Sequence, residues 1–310
     1  MYEAYFGLRE KPFVMTPDTR YFFPSSKHTD ALNHMVYAIQ ERRGFVVITG
    51  EIGCGKTTLS RILLQKLEPS TKTAIIRNTQ LTAKDLVMSA LDEYEIPYDP
   101  ARTKASLINK LNEFLIEQLR ENNNVVLLID EAQNLTPTVL EEVRMLSNLE
   151  TEREKLIQII LMGQPELKQK LWLKQLTQLR QRVTLLYHLS ALDEAEVGAY
   201  IMHRLRAGGS NQPIFASETF ARIYQLTQGV PRLINALCDR ALLTGYVNEY
   251  QTIDNRMIDE AAAELPALME QPGPVVRVEQ RAIAPAGQPV MPAELPDAGD
   301  ESPRAMGVQA

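Results

Sequence analysis

The stretch that most restricts the fold is GEIGCGKTT, residues 50–58, which follows the apolar run FVVIT and opens the helical pattern TTLSRILLQKL. It matches G-x-x-x-x-G-K-[ST], a loop that holds phosphate between a buried strand and the start of a helix. Glycines let backbone N–H groups turn inward with no Cβ in the way, and the positive end of the helix points at the same place. We therefore expect a phosphate-binding site.

Each residue of this loop has an expected role in binding ATP. The backbone cradle comprises Gly50, Glu51, Ile52, Gly53, Cys54 and Gly55. Lys56 is expected to bridge the β- and γ-phosphates, the Thr57 hydroxyl to ligate Mg²⁺, and Thr58 to contact the α-phosphate. The alternative is a glycine-rich turn that binds nothing, and the order of strand, loop and helix argues against it.

An acidic pair, Asp130-Glu131, ends the apolar run VVLLI. Parallel strands present ligands at their carboxyl ends, so Asp130 is suited to the Mg²⁺ shell and Glu131 to polarising the attacking water. The alternative is a helix start that carries favourable acidic residues. The phosphate loop about seventy residues earlier favours the catalytic interpretation.

Short apolar runs predict a parallel sheet. They are FVVIT (45–49), TAIIR (73–77), VVLLI (125–129), IQIILMG (157–163) and RVTLLYHL (182–189). Their continuous apolarity is typical of strands buried on both faces, and helical patterns lie between them. The expected fold is an α/β P-loop domain over residues 1–190 with a five-stranded parallel sheet.

The pattern changes after residue 190. Residues 191–265 contain helical patterns separated by glycine, proline or polar stops, which predicts a small all-helical lid domain. Residues 266–310 contain eight of the eighteen prolines and few apolar residues, so we expect a disordered proline-rich tail there.

Composition limits the class of protein. The sequence has two cysteines, Cys54 and Cys238, and a formal net charge of -6. No disulfide framework, signal peptide or membrane-spanning run is expected, and a cytoplasmic protein fits. Cys54 is interpreted as a tolerated small side chain, with a redox-sensitive thiol as the alternative.

These motifs resemble those of the AAA+ ATPases and, within them, the general secretion pathway protein A (ExeA/GspA) group. The resemblance covers residues 1–265, and its more specific parts are YFGLREKPF, TPDTRYFF, LMGQPEL and GVPRLINALCDRALL. By this resemblance, Gln164 is the sensor-1 residue that reports on the γ-phosphate, and Arg232 is the sensor-2 arginine. Arg180 and Arg182 are candidates for the arginine finger that acts on a neighbouring subunit's nucleotide.

Other interpretations of these residues remain open. Gln164 is also placed to cap the helix that begins near Pro165, and Arg180 and Arg182 are also typical of an ordinary surface. An arginine opening a helix after Pro231 is unfavourable for the helix dipole, which favours a function for Arg232.

The N-terminal aromatics likewise have two interpretations. By the resemblance, residues 21–28 lie near the adenine base. Alternatively, Tyr5, Phe6, Phe13, Phe22 and Phe23 attach the N-terminal segment to the sheet, which we favour for most of them. The four histidines show no metal-binding spacing and are interpreted as structural or exposed.

The resemblance implies a homo-oligomeric ATPase that assists a cell-envelope secretion, pilus or exopolysaccharide export system. Secretion members of the group continue into a transmembrane helix and a periplasmic domain, whereas a proline-rich segment follows here. We therefore expect a cytoplasmic protein that docks on a membrane-associated partner at the inner membrane.

Two further hypotheses concern DNA and turnover. A transposition-type regulator would need a basic stripe for nucleic acid, and the candidates are Arg42, Arg43, Lys168, Lys170 and Lys174. A slow ATP-binding switch differs only in rate, and the presence of Glu131 disfavours it.

Overall fold

The structure is a computed structural model that describes residues 1–152 and 154–265. The predicted tail, residues 266–310, lies outside the described residues. The strands are β1 (Phe45–Gly50), β2 (Lys72–Ile76), β3 (Val125–Ile129), β4 (Gln158–Gly163) and β5 (Leu185–Leu189). They form one parallel sheet in the order β2-β3-β4-β1-β5, which confirms the predicted five-stranded parallel sheet.

Twelve α-helices accompany the sheet within the described residues. They are α1 (Tyr2–Tyr5), α2 (Ser26–Gln40), α3 (Lys56–Lys66), α4 (Ala83–Glu93), α5 (Lys104–Arg120), α6 (Pro137–Leu146), α7 (Pro165–Leu171), α8 (Thr177–Arg182), α9 (Glu194–Ala207), α10 (Thr219–Thr227), α11 (Pro231–Val247) and α12 (Asn255–Ala263). Many start where the sequence supplies a cap. The Thr82 and Asp193 side chains cap α4 and α9 as full capping boxes, and Pro137 occupies the first turn of α6.

Both faces of the sheet are covered, which explains the continuous apolar strands. Alternate residues of β3 point to opposite sides, because Leu127 packs with α4, α5 and α6, whereas Leu128 packs with α2 and α3. All five residues of β3 are buried. The sheet thereby fixes the carboxyl ends of β1, β3 and β4 side by side, where the loop and acidic motifs lie.

The N-terminal arm, residues 1–25, packs differently from the expectation. Tyr2, Phe6 and Phe13 lie in one apolar cluster with the helical region, residues 191–265, and Tyr5 and Phe23 pack against that cluster. Among the named aromatics, Phe22 packs on the sheet side. The expected attachment of the arm to the sheet is therefore wrong for most of them. The arm instead covers apolar residues of the helices α9–α12.

Residues 191–265 contain α9–α12 and no strand of the sheet. A single parallel bridge joins Phe215 to Ile253. The sheet and these helices belong to one compact unit. The division of the chain at residue 190 stays a prediction.

Candidate nucleotide-binding site

The phosphate loop, residues 50–57, has the backbone that its glycines predict. Gly53 and Gly55 have φ angles of 84° and 93°, a region that side chains with a Cβ rarely adopt. The Lys56 side chain folds into the loop, and its Nζ donates to the carbonyl oxygens of Gly50 at 2.7 Å and Glu51 at 3.0 Å. The loop thus holds a buried ammonium at the positive end of α3.

Thr57 and Asp130 meet at the base of the loop. Thr57 Oγ1 donates to Asp130 Oδ2 at 3.2 Å, and the Glu131 N–H donates to Asp130 Oδ1 at 3.0 Å. Burial raises the pKa of the Asp130 carboxyl, because its charged form lacks solvation. A buried carboxylate beside a hydroxyl oxygen fits the oxygen ligands that Mg²⁺ prefers. The positive charge of the cation would stabilise the Asp130 carboxylate in place of the lost solvation.

Glu131 and Gln164 lie side by side, at the ends of β3 and β4. Glu131 has a left-handed backbone, with φ 52°, and its Oε2 accepts from Gln133 Nε2 at 2.6 Å and from Gln164 Nε2 at 3.4 Å. Gln164 occupies the N-cap position of α7, but its side chain makes no capping hydrogen bond. The amide therefore faces Glu131, and the helix-capping alternative is not adopted.

His28 supports the loop from α2, a role that no sequence pattern indicated. Its Nε2 lies 3.0 Å from the Cys54 carbonyl oxygen, and its Nδ1 lies 2.7 Å from Ser25 Oγ. Since a carbonyl only accepts, Nε2 carries the proton and Nδ1 accepts from the serine hydroxyl. Burial lowers the pKa of His28, which keeps the ring neutral and in this tautomer.

Cys54 fits the interpretation as a small tolerated side chain. It is fully buried, and burial raises the pKa of its thiol to about 11. The thiolate is the reactive form of cysteine, so this environment suppresses reactivity.

A cavity of about 540 Å³ opens beside the loop. Its walls are residues 52–58 apart from Cys54, His28 of α2, Glu131 and Gln164, residues 14–18 and 21–23 of the arm, and part of the helical region. Its size is within the range of pockets that hold small ligands. Residues of the phosphate loop and the aromatic residues Tyr21, Phe22, Phe23 and Tyr200 all line it, which suits a ligand with both phosphates and a base.

Two arginines of the helical region reach this cavity. Arg232 begins α11, and its backbone N–H donates to the Gly53 carbonyl at 3.2 Å. A Cβ on Gly53 would lie 2.5 Å from the Arg232 Cβ, so only glycine allows this approach. Arg204 is buried, donates to the carbonyls of Pro12 at 2.6 Å and Val14 at 3.1 Å, and lies 4.6 Å from the Tyr21 ring centroid.

Arg180 and Arg182 do not line this chain's cavity. Arg182 donates to the carbonyl and hydroxyl of Ser147 at 3.2 and 3.4 Å. Arg180 lies over the ring of the exposed Trp172, at 5.3 Å. Their use by a neighbouring subunit stays a prediction.

Comparison with known proteins agrees with this geometry. A family model described as an AAA domain matches residues 39–171. The chain carries an AAA domain. The matched range holds the phosphate loop, the acidic pair and Gln164, and the P-loop AAA fold is thereby confirmed.

A curated relative extends the likeness beyond the AAA domain. The chain is 42% identical over 271 residues to General secretion pathway protein A of Aeromonas hydrophila, which covers 87% of this chain and 50% of that protein. The chain therefore spans about half the length of this relative. The predicted resemblance to this group is confirmed.

Solved structures share the fold at low sequence identity. The ORC2 protein of Aeropyrum pernix has a TM-score of 0.62 at 14% identity, over 83% of this chain and 72% of that chain. Cdc6p of Pyrobaculum aerophilum has a TM-score of 0.61 at 18% identity, over 80% of this chain and 71% of that chain. The RuvB Holliday junction branch migration motor of Thermotoga maritima has a TM-score of 0.55 at 17% identity, over 81% of this chain and 72% of that chain. Among the described residues, no helix is long and apolar enough to cross a membrane.

Proposed function

We propose that this protein binds ATP with Mg²⁺ and hydrolyses it, in the service of a cell-envelope secretion, pilus or export system. The observation that carries the ATPase proposal is that the phosphate loop, Glu131 and Gln164 line a single cavity, while Thr57 of the loop is hydrogen-bonded to Asp130. Lys56 would neutralise the β- and γ-phosphates, and Thr57 and Asp130 would hold the Mg²⁺ shell. The bound cation would neutralise charge on the phosphates.

Glu131 is the candidate general base. Its carboxylate lines the cavity and lies within reach of Gln164, the candidate γ-phosphate sensor. A positioned carboxylate accepts a proton from the attacking water as the phosphoryl group leaves. Arg232 would contact the nucleotide from the helical region, because it lines the cavity and its guanidinium has no hydrogen-bond or ion-pair partner among the described residues.

Two substitutions test the chemistry. Lys56→Ala should weaken ATP binding at least tenfold, since it removes a charged donor, whereas Glu131→Gln should keep ATP affinity and lose hydrolysis. Calorimetric ATP titration and phosphate release measure the two quantities. The exposed Lys66→Ala and Glu166→Gln serve as matched controls. Near-normal turnover in Glu131→Gln would remove the base assignment.

The proposed homo-oligomer would place Arg180 at a neighbouring subunit's nucleotide. Arg180 suits this role better than Arg182, whose guanidinium is engaged with Ser147 in its own chain. Arg180→Ala should lower turnover with ATP affinity retained, and mixing it with Lys56→Ala should restore part of the activity. No recovery in the mixture would argue against an arginine supplied between subunits.

The proposed setting is the cytoplasm, at the inner membrane through a membrane-associated partner. It rests on the likeness to General secretion pathway protein A. Co-purification from membranes under mild detergent tests it. Recovery of the protein only in the soluble fraction, with no envelope protein attached, would count against it.

The DNA-associated alternative is less well supported by the surface. Three of its candidate side chains are engaged within the chain: Arg42 pairs with Glu154, Arg43 lies over the Tyr37 ring, and Lys170 donates to backbone carbonyls. Turnover should therefore respond weakly to duplex DNA. A large stimulation by DNA that is lost on modest addition of salt would favour the alternative.

A further inference from the structure

Gln133 holds the carboxylate of the candidate base. It lies in the turn Ala132–Asn134, directly after the left-handed Glu131, and only 8% of it is exposed. Its Nε2 donates to Glu131 Oε2 at 2.6 Å, which is much shorter than the 3.4 Å contact from Gln164. Of the two amides, Gln133 therefore makes the stronger hydrogen bond to Glu131.

The orientation of the Gln133 amide is fixed by its other partner. Gln133 Oε1 accepts from the backbone N–H of Gln164 at 3.0 Å. Since a backbone N–H only donates, the atom facing it must be the amide oxygen, and the NH₂ group must face Glu131. The side chain thereby joins the ends of β3 and β4.

The surroundings are built around this side chain. A Cβ on Gly163 would lie 2.8 Å from Gln133 Oε1, so glycine at the end of β4 leaves the room that the amide occupies. Lys170 of α7 donates to the Gln133 carbonyl and, at 2.9 Å, to the Leu135 carbonyl. Backbone and side chain of Gln133 are thus both held in place.

We propose that Gln133 is the positioning residue for Glu131 during ATP hydrolysis, a role that rests on the proposed function of Glu131 as the base. Gln164 cannot serve the γ-phosphate and Glu131 equally well with one NH₂ group. When Gln164 turns to the phosphate, Gln133 keeps the Glu131 carboxylate aimed into the cavity. A base held within hydrogen-bond reach of the water is what proton abstraction requires.

Gln133→Glu isolates the donated hydrogen bond. It keeps the side-chain length and an oxygen for the Gln164 N–H, but replaces the NH₂ donor with a second acceptor beside Glu131. We expect kcat to fall about 10- to 100-fold, with KM and the affinity for a non-hydrolysable ATP analogue within about twofold. Gln133→Met, an uncharged side chain of similar length, should lower kcat in the same direction.

Gln169→Glu is the matched control, because Gln169 lies on the exposed side of α7 and receives the same charge change. It should leave kcat unchanged. The decisive measurement repeats Gln133→Glu in the Glu131→Gln background by single-turnover hydrolysis. If Gln133 acts through Glu131, the second substitution adds less than about twofold there.

The outcomes separate this inference from the proposed function. No hydrolysis by the wild type, or full hydrolysis by Glu131→Gln, would remove the base assignment itself. With that assignment intact, wild-type kcat in folded Gln133→Glu and Gln133→Met would overturn the role of Gln133. An equal loss of kcat with and without Glu131 would overturn it too. Thermal unfolding of each variant identifies any loss that is due to misfolding.

Discussion

Replacing His28 with alanine should disorganise the phosphate loop without touching a phosphate ligand. The ring donates from Nε2 to the Cys54 carbonyl and accepts from Ser25, and both bonds are buried. His28 Nε2 also lies 3.0 Å from where a Cβ on Gly55 would sit, so the ring fills the space against the loop. Alanine removes the donor and leaves the carbonyl without its partner.

The size of the effect follows from these two bonds. A buried hydrogen bond contributes about 1 kcal/mol, and a stranded buried polar group costs about 1–3 kcal/mol. We expect His28→Ala to lower the free energy of unfolding by about 2–4 kcal/mol. If half of that free energy, about 1–2 kcal/mol, disfavours the ordered loop, the fraction of protein that is competent to bind falls. The Kd for ATP then rises about five- to thirtyfold.

Urea unfolding and ATP titration measure the two effects. His34→Ala is the matched control, because His34 lies on the same helix but is exposed. His28→Gln, which keeps an NH₂ donor, should recover part of both losses. If His28→Ala changed stability by less than about 0.5 kcal/mol and left the Kd for ATP unchanged, the proposed support of the loop by His28 would be wrong.

Three further outcomes are expected. Because burial lowers the pKa of His28, this histidine binds a proton more readily in the unfolded state than in the folded state. The free energy of unfolding, measured in urea, should therefore fall as the pH is lowered from about 7 to about 5. The fall should be smaller in His28→Gln. Iodoacetamide should modify Cys54 and Cys238 in urea but not in the folded protein, because folding buries both thiols and raises their pKa values. Rapid labelling of Cys54 in the folded protein would contradict a closed phosphate loop. Gly229→Ala should lower the free energy of unfolding in urea by about 2–4 kcal/mol, because its φ is positive and a Cβ would overlap the Leu192 carbonyl oxygen. Gly7→Ala also has a positive φ but meets open space, so it should cost about 1–2 kcal/mol. Equal losses for the two variants would refute the clash at Gly229.

Local motifs made the sheet and the core of the site predictable. A parallel strand buried on both faces leaves a continuous apolar run in the sequence, and all five runs became strands of the sheet. The carboxyl ends of such strands meet at one edge, so the proximity of Thr57, Asp130, Glu131 and Gln164 follows from their positions after β1, β3 and β4.

The contacts that the sequence did not indicate are those between distant segments. His28 was interpreted as structural or exposed and, by the resemblance, as part of a segment near the adenine base. Neither interpretation indicated its contact with Cys54, which depends on how α2 packs beside the loop. No sequence pattern indicated a role for Gln133, because its placement depends on the room that Gly163 leaves one strand away. The arm was assigned to the wrong surface because its aromatic residues indicate that it is buried but do not indicate which part of the protein it packs against.

The charge of the cavity resolves an apparent conflict with the acidic composition. A net charge of -6 describes the field far from the protein, where a polyphosphate would be repelled. Inside the cavity, Lys56, Arg204 and Arg232 converge from three segments and outnumber the two acidic lining residues, Asp18 and Glu131. The start of α3 adds its partial positive charge. Arg204 has no carboxylate hydrogen-bonded to it among the described residues; carbonyl oxygens and tyrosine rings surround it instead. Because charges beyond about 10 Å are screened at physiological salt, these near cations determine the binding of a nucleotide phosphate, and the distant acidic surface does not prevent it.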